Sequence, residues 1–226
     1  MKRLAVIAAS LVLTLTFSHA HAQVPPSHTE IAGYTGLHAA AHSGDVAAIK
    51  KLTAEGAPLE SRDSYGRTPL HVAVFASHED AVRALAEAGA DMNALEHDDY
   101  DAVTIAAVAD DVEMLKTVLA RGGSAANITS PYEGTALIAA AHLGHDEVVR
   151  MLIKAGAPLD HVNNLGWTAL IESVILGDGG PRHVETARAL IAAGADVNLS
   201  DRQGTTPLAH ARQRGYDAMA ALFPKS

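Results

Sequence analysis

Thirteen histidines and no cysteine stand in a chain of 226 residues. Any metal or nucleophile chemistry must therefore run through imidazole, carboxylate or hydroxyl groups, and disulfides, thiolate metal sites and cysteine nucleophiles are excluded. His38 and His42 are four residues apart, a spacing that on a helix can bring two imidazoles to one metal ion. No carboxylate is placed to complete a two-histidine, one-carboxylate set, and no H-E-x-x-H occurs. His142 and His145 are separated by Gly144, which should end a helix between them. The G-x-S-x-G elbow, the G-x-x-x-x-G-K-[ST] loop and the G-x-G-x-x-G turn are all missing. The residues thus point to no catalytic group, no cofactor and no resident metal. Metal or haem binding through the histidines stands as the alternative function, and a hydrolase with an unrecognised site has no residue to motivate it.

The elements that carry these residues follow from an internal period. Gly33-Tyr34-Thr35-Gly36-Leu37-His38-Ala39-Ala40-Ala41 returns as Gly66-Arg67-Thr68-Pro69-Leu70-His71-Val72-Ala73-Val74. Further copies begin at Gly134, Gly166 and Gly204, with a weaker one at Asp101-Ala102-Val103-Thr104. The Thr or Asp anchors fall at 35, 68, 101, 135, 168 and 206, spaced by 33, 33, 34, 33 and 38 residues. A second glycine anchor, at Gly56, Gly89, Gly122, Gly156 and Gly194, keeps the same step. Thr68 can cap a helix whose first residue is Pro69, where a missing N–H costs nothing. Leu70, Ala73 and Val74 then share one apolar face. After a break near Gly44, Ser77, Asp110 or Gly144, a second helix opens with Asp45, Asp80, Asp111 or Asp146, an acid that suits a helix N-terminus. It ends at the glycine anchor, where a left-handed residue is wanted. No single copy can bury both helices' stripes, so six copies must stack.

Thr68-Pro69-Leu70-His71, Gly89-Ala90-Asp91-Met92-Asn93 and Gly194-Ala195-Asp196-Val197-Asn198 make the chain resemble the ankyrin-repeat family over about 33–223. The resemblance implies an all-α ankyrin-repeat solenoid of about six helix-turn-helix units joined by β-hairpin-like loops. The units lie near 33–63, 64–97, 98–130, 131–163, 164–201 and 202–226, together forming a domain over 33–226. It also implies that His38 and His71 hydrogen-bond to the loop of a neighbouring unit. Residues 23–32, with Pro25-Pro26, read as a flexible leader. The third unit should be the least regular, because Asp101 and Thr104 replace its Thr and His. The long step of 38 comes from an insert around Gly177–Pro181 between the two helices of the fifth unit, read as a tolerated surface insertion.

Residues 1–22 read as a signal peptide. Lys2 and Arg3 precede an apolar stretch from Leu4 to Phe17, and Ala20-His21-Ala22 offers a cut before Gln23. That stretch is short of the roughly 20 residues needed to span a bilayer, so no stable membrane insertion is expected after cleavage. The expected location is the periplasm, with secretion as the alternative. Losing Lys2 and Arg3 takes the formal charge from −9 to −11, which disfavours nucleic acid as a partner.

In the family, partners meet the loop tips and the exposed ends of the first helices. Projected through the period, the residue before the anchor is Tyr34, Arg67, Tyr100 or Trp167, and three before it stand Tyr65 and Tyr132. Seven after it come His42, Phe75, Val108, His142 and Ile175. Beyond the leader, eight aromatic residues remain, and all but Tyr216 and Phe223 fall on these positions. Aromatic side chains anchor protein interfaces at little rotamer cost. The expected function is a protein-interaction module, not an enzyme, that binds another protein through this strip and inhibits, stabilises or scaffolds it. An immunity or helper protein for a periplasmic enzyme would be one example.

Overall fold

The computed structural model describes residues 23–224, so the leader over 1–22, with its cleavage motif, lies outside the described residues. The repeat becomes six antiparallel helix pairs: α2 (Gly36–Ser43) with α3 (Val46–Ala54), α4 (Pro69–Phe75) with α5 (Glu79–Glu87), α6 (Ala102–Val108) with α7 (Val112–Ala120), α8 (Ala136–Leu143) with α9 (Asp146–Lys154), α10 (Ala169–Ile175) with α11 (Pro181–Ala193), and α12 (Pro207–Gln213) with α13 (Asp217–Ala220). The even-numbered, inner helices pack in chain order against one another, and the outer helices do the same behind them. The residue two after each anchor, namely Leu37, Leu70, Val103, Leu137 or Leu170, is buried between neighbouring inner helices. Leu208, at the same position in the sixth unit, is only partly covered.

The anchors cap as expected. Thr68, Asp101, Thr135, Thr168 and Thr206 each accept a hydrogen bond from the N–H three residues on. Thr35 occupies the same place without such a bond. The third unit is as regular as its neighbours, with α6 and α7 matching α4 and α5 in length. Asp101 caps as well as Thr, so its substitution disturbs nothing. Gly144 closes α8 at φ 70°, and a Cβ there would stand 2.9 Å from the His183 ring. Only glycine meets both demands.

The connecting loops are hairpin-like turns, each closed by one backbone bond, from Asp63 N–H to the Arg67 carbonyl, Glu96 to Tyr100, Thr129 to Gly134, Asn163 to Trp167 and Asp201 to Thr205. Among the described residues no strand forms, and the one isolated bridge pairs Thr129 with Gly134. The loops are also held by a side chain five residues before the anchor. Asp63 accepts from the N–H groups of Tyr65 and Arg67, Glu96 from Asp98 and Tyr100, Asn163 from Leu165 and Trp167, and Asp201 from Gln203 and Thr205. Each tip then leans on the one before. His97 N–H donates to the Tyr65 carbonyl, Ser130 N–H to Asp99, and Asn164 N–H to Tyr132.

Two segments differ from the sequence expectation. Residues 23–32 do not form a flexible leader, because α1 (His28–Gly33) opens at Ser27 with a full capping box to Glu30. Its anchor is Arg67, which is completely buried. The Arg67 guanidinium bonds Glu30, the Asp63 carboxylate at 2.7 Å and the Val24 carbonyl at 3.0 Å. The insert is a bend over 177–180 that runs into a longer helix, α11, which starts at Pro181 and has 13 residues where α9 has 9. The added turn carries Arg182, whose guanidinium reaches Asp110 at 2.7 Å and Asp146 at 3.3 Å, tying the fifth unit to the third and fourth. The Tyr216 hydroxyl donates to the Gly177 carbonyl at 3.0 Å from the other side. The insert is therefore a clasp across the array and not a loose surface loop.

Breaking a buried ion pair from one side strands the remaining charge. Arg67→Met should lower unfolding free energy by about 3 kcal/mol, read from urea midpoints. Deletion of residues 23–33 should also destabilise, and the two changes together should cost less than their sum, since both break the same contact.

Candidate partner-binding groove

The residues seven after the anchor form the most even row in the molecule. His42, Phe75, Val108, His142 and Ile175 all lie near the C-terminal ends of successive inner helices, and all are half-buried. Each presents part of an apolar or imidazole surface to solvent while its stem packs inward. The loop-tip row is less even. Tyr65 is 41% exposed, with the Arg67 guanidinium carbon 4.7 Å from its ring centroid. Tyr132 and Trp167 are half-buried. Tyr34 is half-buried as well; its hydroxyl donates to Asp63 at 2.7 Å, and its ring stands 5.4 Å from His38 and 6.5 Å from His42. Burial and the Asp63 bond raise its phenol pKa.

Two expected members of the strip are not available to a partner. Arg67 is 0% exposed, because α1 covers it and two carboxylates hold its fork. Tyr100 is 7% exposed and belongs to the apolar core, where burial pushes its phenol up to about 12. In its unit the loop folds the ring under instead of outward.

The sequence strip also omits exposed apolar residues. Leu165 holds the same repeat position as Tyr65 and Tyr132, three before the anchor, and is 39% exposed. Ile128 and Val162, on the loops leading into the same two units, are exposed too. The period alone could have placed Leu165 beside the two tyrosines; an aromatic-only search passes over it.

The histidines are spent on the frame. His38 Nε2 meets the Arg67 carbonyl of the next unit at 3.0 Å, as the resemblance implied, whereas His71 Nε2 meets the Ala94 carbonyl at 2.9 Å in the loop that ends its own unit. A second set bridges units further back. His78 meets the His42 carbonyl, His145 the Ala107 carbonyl and His183 the His142 carbonyl, each at 3.0 Å. Burial drops His71 to about 4, so it works as a neutral ring. Among the described residues no group of three or more His, Asp or Glu side chains is gathered as a metal site would require.

One ionisable residue in the groove has no precedent in the repeat. The residue four after the anchor is Ala39, Val72, Ile105 or Ala139 in the first four units, then Glu172 and His210. Glu172 is buried on α10; its Oε1 accepts from Asn163 Nδ2 at 2.7 Å, while Oε2 faces His142 Nδ1 at 3.7 Å. Burial raises this carboxyl to about 7, against the opposing effect of the Asn163 bond. His142 is lowered, first by burial and then by the nearby charges of His183 and His145. The signal was legible as a charged residue at an apolar repeat position.

The comparisons with known proteins agree with this architecture. The family described as ankyrin repeats (3 copies) matches residues 5–96 and 103–201. The ankyrin repeat protein YahD of Escherichia coli is 32% identical over 185 residues, covering 81% of this chain and 92% of its own. A solved ankyrin repeat domain from Acinetobacter baumannii superposes with a TM-score of 0.77 at 42% identity, covering 82% of this chain and 94% of its own. A second solved ankyrin repeat protein reaches a TM-score of 0.75 at 29% identity, over 84% and 97%.

A buried carboxyl near 7 makes a signed prediction. Folding keeps the Glu172 proton that the unfolded chain releases near 4.5. Its stabilising contribution is complete below about 4.5 and is lost as pH rises to about 7, on the order of 3 kcal/mol in all. Glu172→Gln removes that dependence. The melting temperature of the variant minus that of the parent should therefore grow between pH 5 and pH 8; a flat difference would show that the carboxyl ionises freely.

Proposed function

The chain belongs to the ankyrin-repeat family, and from that premise we propose that it works outside the cytoplasm as a binding module for another protein, held along the inner-helix ends and loop tips. Ankyrin repeats generally mediate protein–protein interaction. The observation that carries the reading here is the strip itself. Phe75, Val108, His142 and Ile175 form a continuous half-buried rail, and Tyr65, Tyr132, Leu165 and Trp167 offer apolar surface at the tips beside it. Aromatic and aliphatic side chains left exposed or half-exposed along one strip are anchors ready for a partner. Engagement would inhibit, stabilise or scaffold the bound protein, as an immunity or helper protein does for a periplasmic enzyme.

Export rests on the leader motif of residues 1–22, with the cut between Ala22 and Gln23. Among the described residues no helix is long and apolar enough to cross a membrane. Mass spectrometry of the protein recovered from the periplasm of its native host should give a chain beginning at Gln23. Recovery of the uncut chain in the membrane fraction would turn the leader into an anchor.

Binding is tested by affinity capture from a periplasmic extract, comparing the parent with a Phe75→Ala/Tyr132→Ala/Trp167→Ala variant. Tyr100 is left intact because it is a core residue. The variant should keep its helical circular dichroism and lose at least about 100-fold in retention of the specific partner, as loss of several interface anchors implies. Equal retention by both would remove the strip as the binding surface.

A further inference from the structure

Carboxylates placed about the loop turns generally have a partner of their own in this molecule. Asp63 is joined to the buried Arg67 guanidinium at 2.7 Å. Asp201 meets the His210 ring at 2.7 Å, through a different pair of repeat positions, five before and four after the anchor. Glu96 spends one oxygen on two backbone N–H groups. In the fifth unit this pair of positions holds Asn163 and Glu172, with the charge on the helix instead of the loop. The residue before the anchor, Arg67 in the second unit, is here Trp167. Among the described residues no lysine or arginine pairs with Glu172, and the His142 ring at 3.7 Å is the nearest basic group.

The carboxylate is nonetheless half prepared. Its side chain is 6% exposed, and Asn163, locked by the Leu165 and Trp167 N–H groups, fixes Oε1. Among the described residues Oε2 has no donor within hydrogen-bond distance, the His142 Nδ1 standing off at 3.7 Å, yet it is not sealed from solvent. It therefore opens to the surface, beside the half-buried His142 ring and one helical turn before Ile175. A charge-bearing oxygen left open at the floor of an apolar groove matches an incoming N–H donor with positive charge. The net charge of −9 for the chain adds a long-range pull of the same sign.

We propose that the groove between the fourth and fifth units receives a lysine or arginine of the bound protein, with Glu172 Oε2 as its acceptor and the aliphatic and aromatic rim around Ile175 and Trp167 holding an adjacent apolar residue. This rests on the protein-binding reading above and specifies the chemistry of the partner segment. The groups that face Glu172 are His142 from α8 and Asn163 from the preceding loop. His183 and His145 stand behind His142, and His210 lies on the neighbouring α12, paired with Asp201. Ionising Glu172 and discharging His142 both favour a bound cation, so binding strengthens as pH rises.

The test is selection of a phage-displayed random dodecapeptide library on the purified exported protein and on its Glu172→Gln and Glu147→Gln variants. Glu147 is an exposed carboxylate on α9 and serves as the charge control. The parent and Glu147→Gln should enrich Lys or Arg about fivefold at a fixed spacing from an apolar residue, and Glu172→Gln should lose that enrichment while still yielding binders. A selected peptide should bind about tenfold more tightly at pH 8 than at pH 6, following ionisation of a carboxyl near 7. Binders with no basic preference, or the same preference on Glu172→Gln, would overturn the cation site and leave the binding function standing. A library that yields no binders would overturn both.

Discussion

The structure depends on polar register between consecutive units. Aliphatic packing between helices is non-directional and tolerates sliding, whereas a hydrogen bond to one named carbonyl does not. Here the bonds occur at two levels. His38 reaches a loop carbonyl of the next unit and His71 one in the loop that leads to it, while His78, His145 and His183 reach carbonyls at the ends of preceding inner helices. Loop-tip amides add a third tie, from His97, Ser130 and Asn164 to the tip before. With register held on both edges, leucines and alanines can supply burial without having to specify position. This explains how a chain of short helices, each near two turns long, gains order that no single helix could sustain.

Both irregular segments serve the same end. The segment ahead of the first unit is fastened to the loop of the second, because Glu30 of α1 bonds the buried Arg67. The long fifth unit could have loosened the stack, but its extra helical turn carries Arg182 back over two earlier units. Departures from the period have become fastenings. The exposed ion pairs of Arg182 contribute little energy singly, so there the geometric tie matters more than its strength.

Those demands also decide which surface is left for function. Histidines at the unit junctions are committed to carbonyls and kept neutral by burial where they lie deepest, as His71 is. Of the candidate strip, the rail of His42, Phe75, Val108, His142 and Ile175 is left over because the inner helices end there and nothing covers them. The buried Glu172 is the exception to an otherwise aliphatic position, and its environment costs the fold stability at neutral pH. A group that is unfavourable for stability and open at one oxygen is best explained by what the groove receives.

The repeat pattern, the helix starts at Thr or Asp, the glycine helix ends and the apolar stripes could all be read from residue order. They arise from local propensity and from a period, both of which are properties of sequence. Even the bond of His38 to the next unit was legible, because a repeat position predicts its neighbour. Exposure was not. Arg67 and Tyr65 are two residues apart on one loop, yet one is sealed and the other exposed, because α1 folds back onto Arg67 from 37 residues away. Tyr100 and Trp167 share a repeat position and differ in burial through the packing of their own loops. The partnering of Arg182 across 72 residues is equally beyond a local reading. Sequence period determines which residues are equivalent, and only tertiary packing decides which of those equivalents meet solvent, because burial depends on atoms brought from elsewhere in the chain.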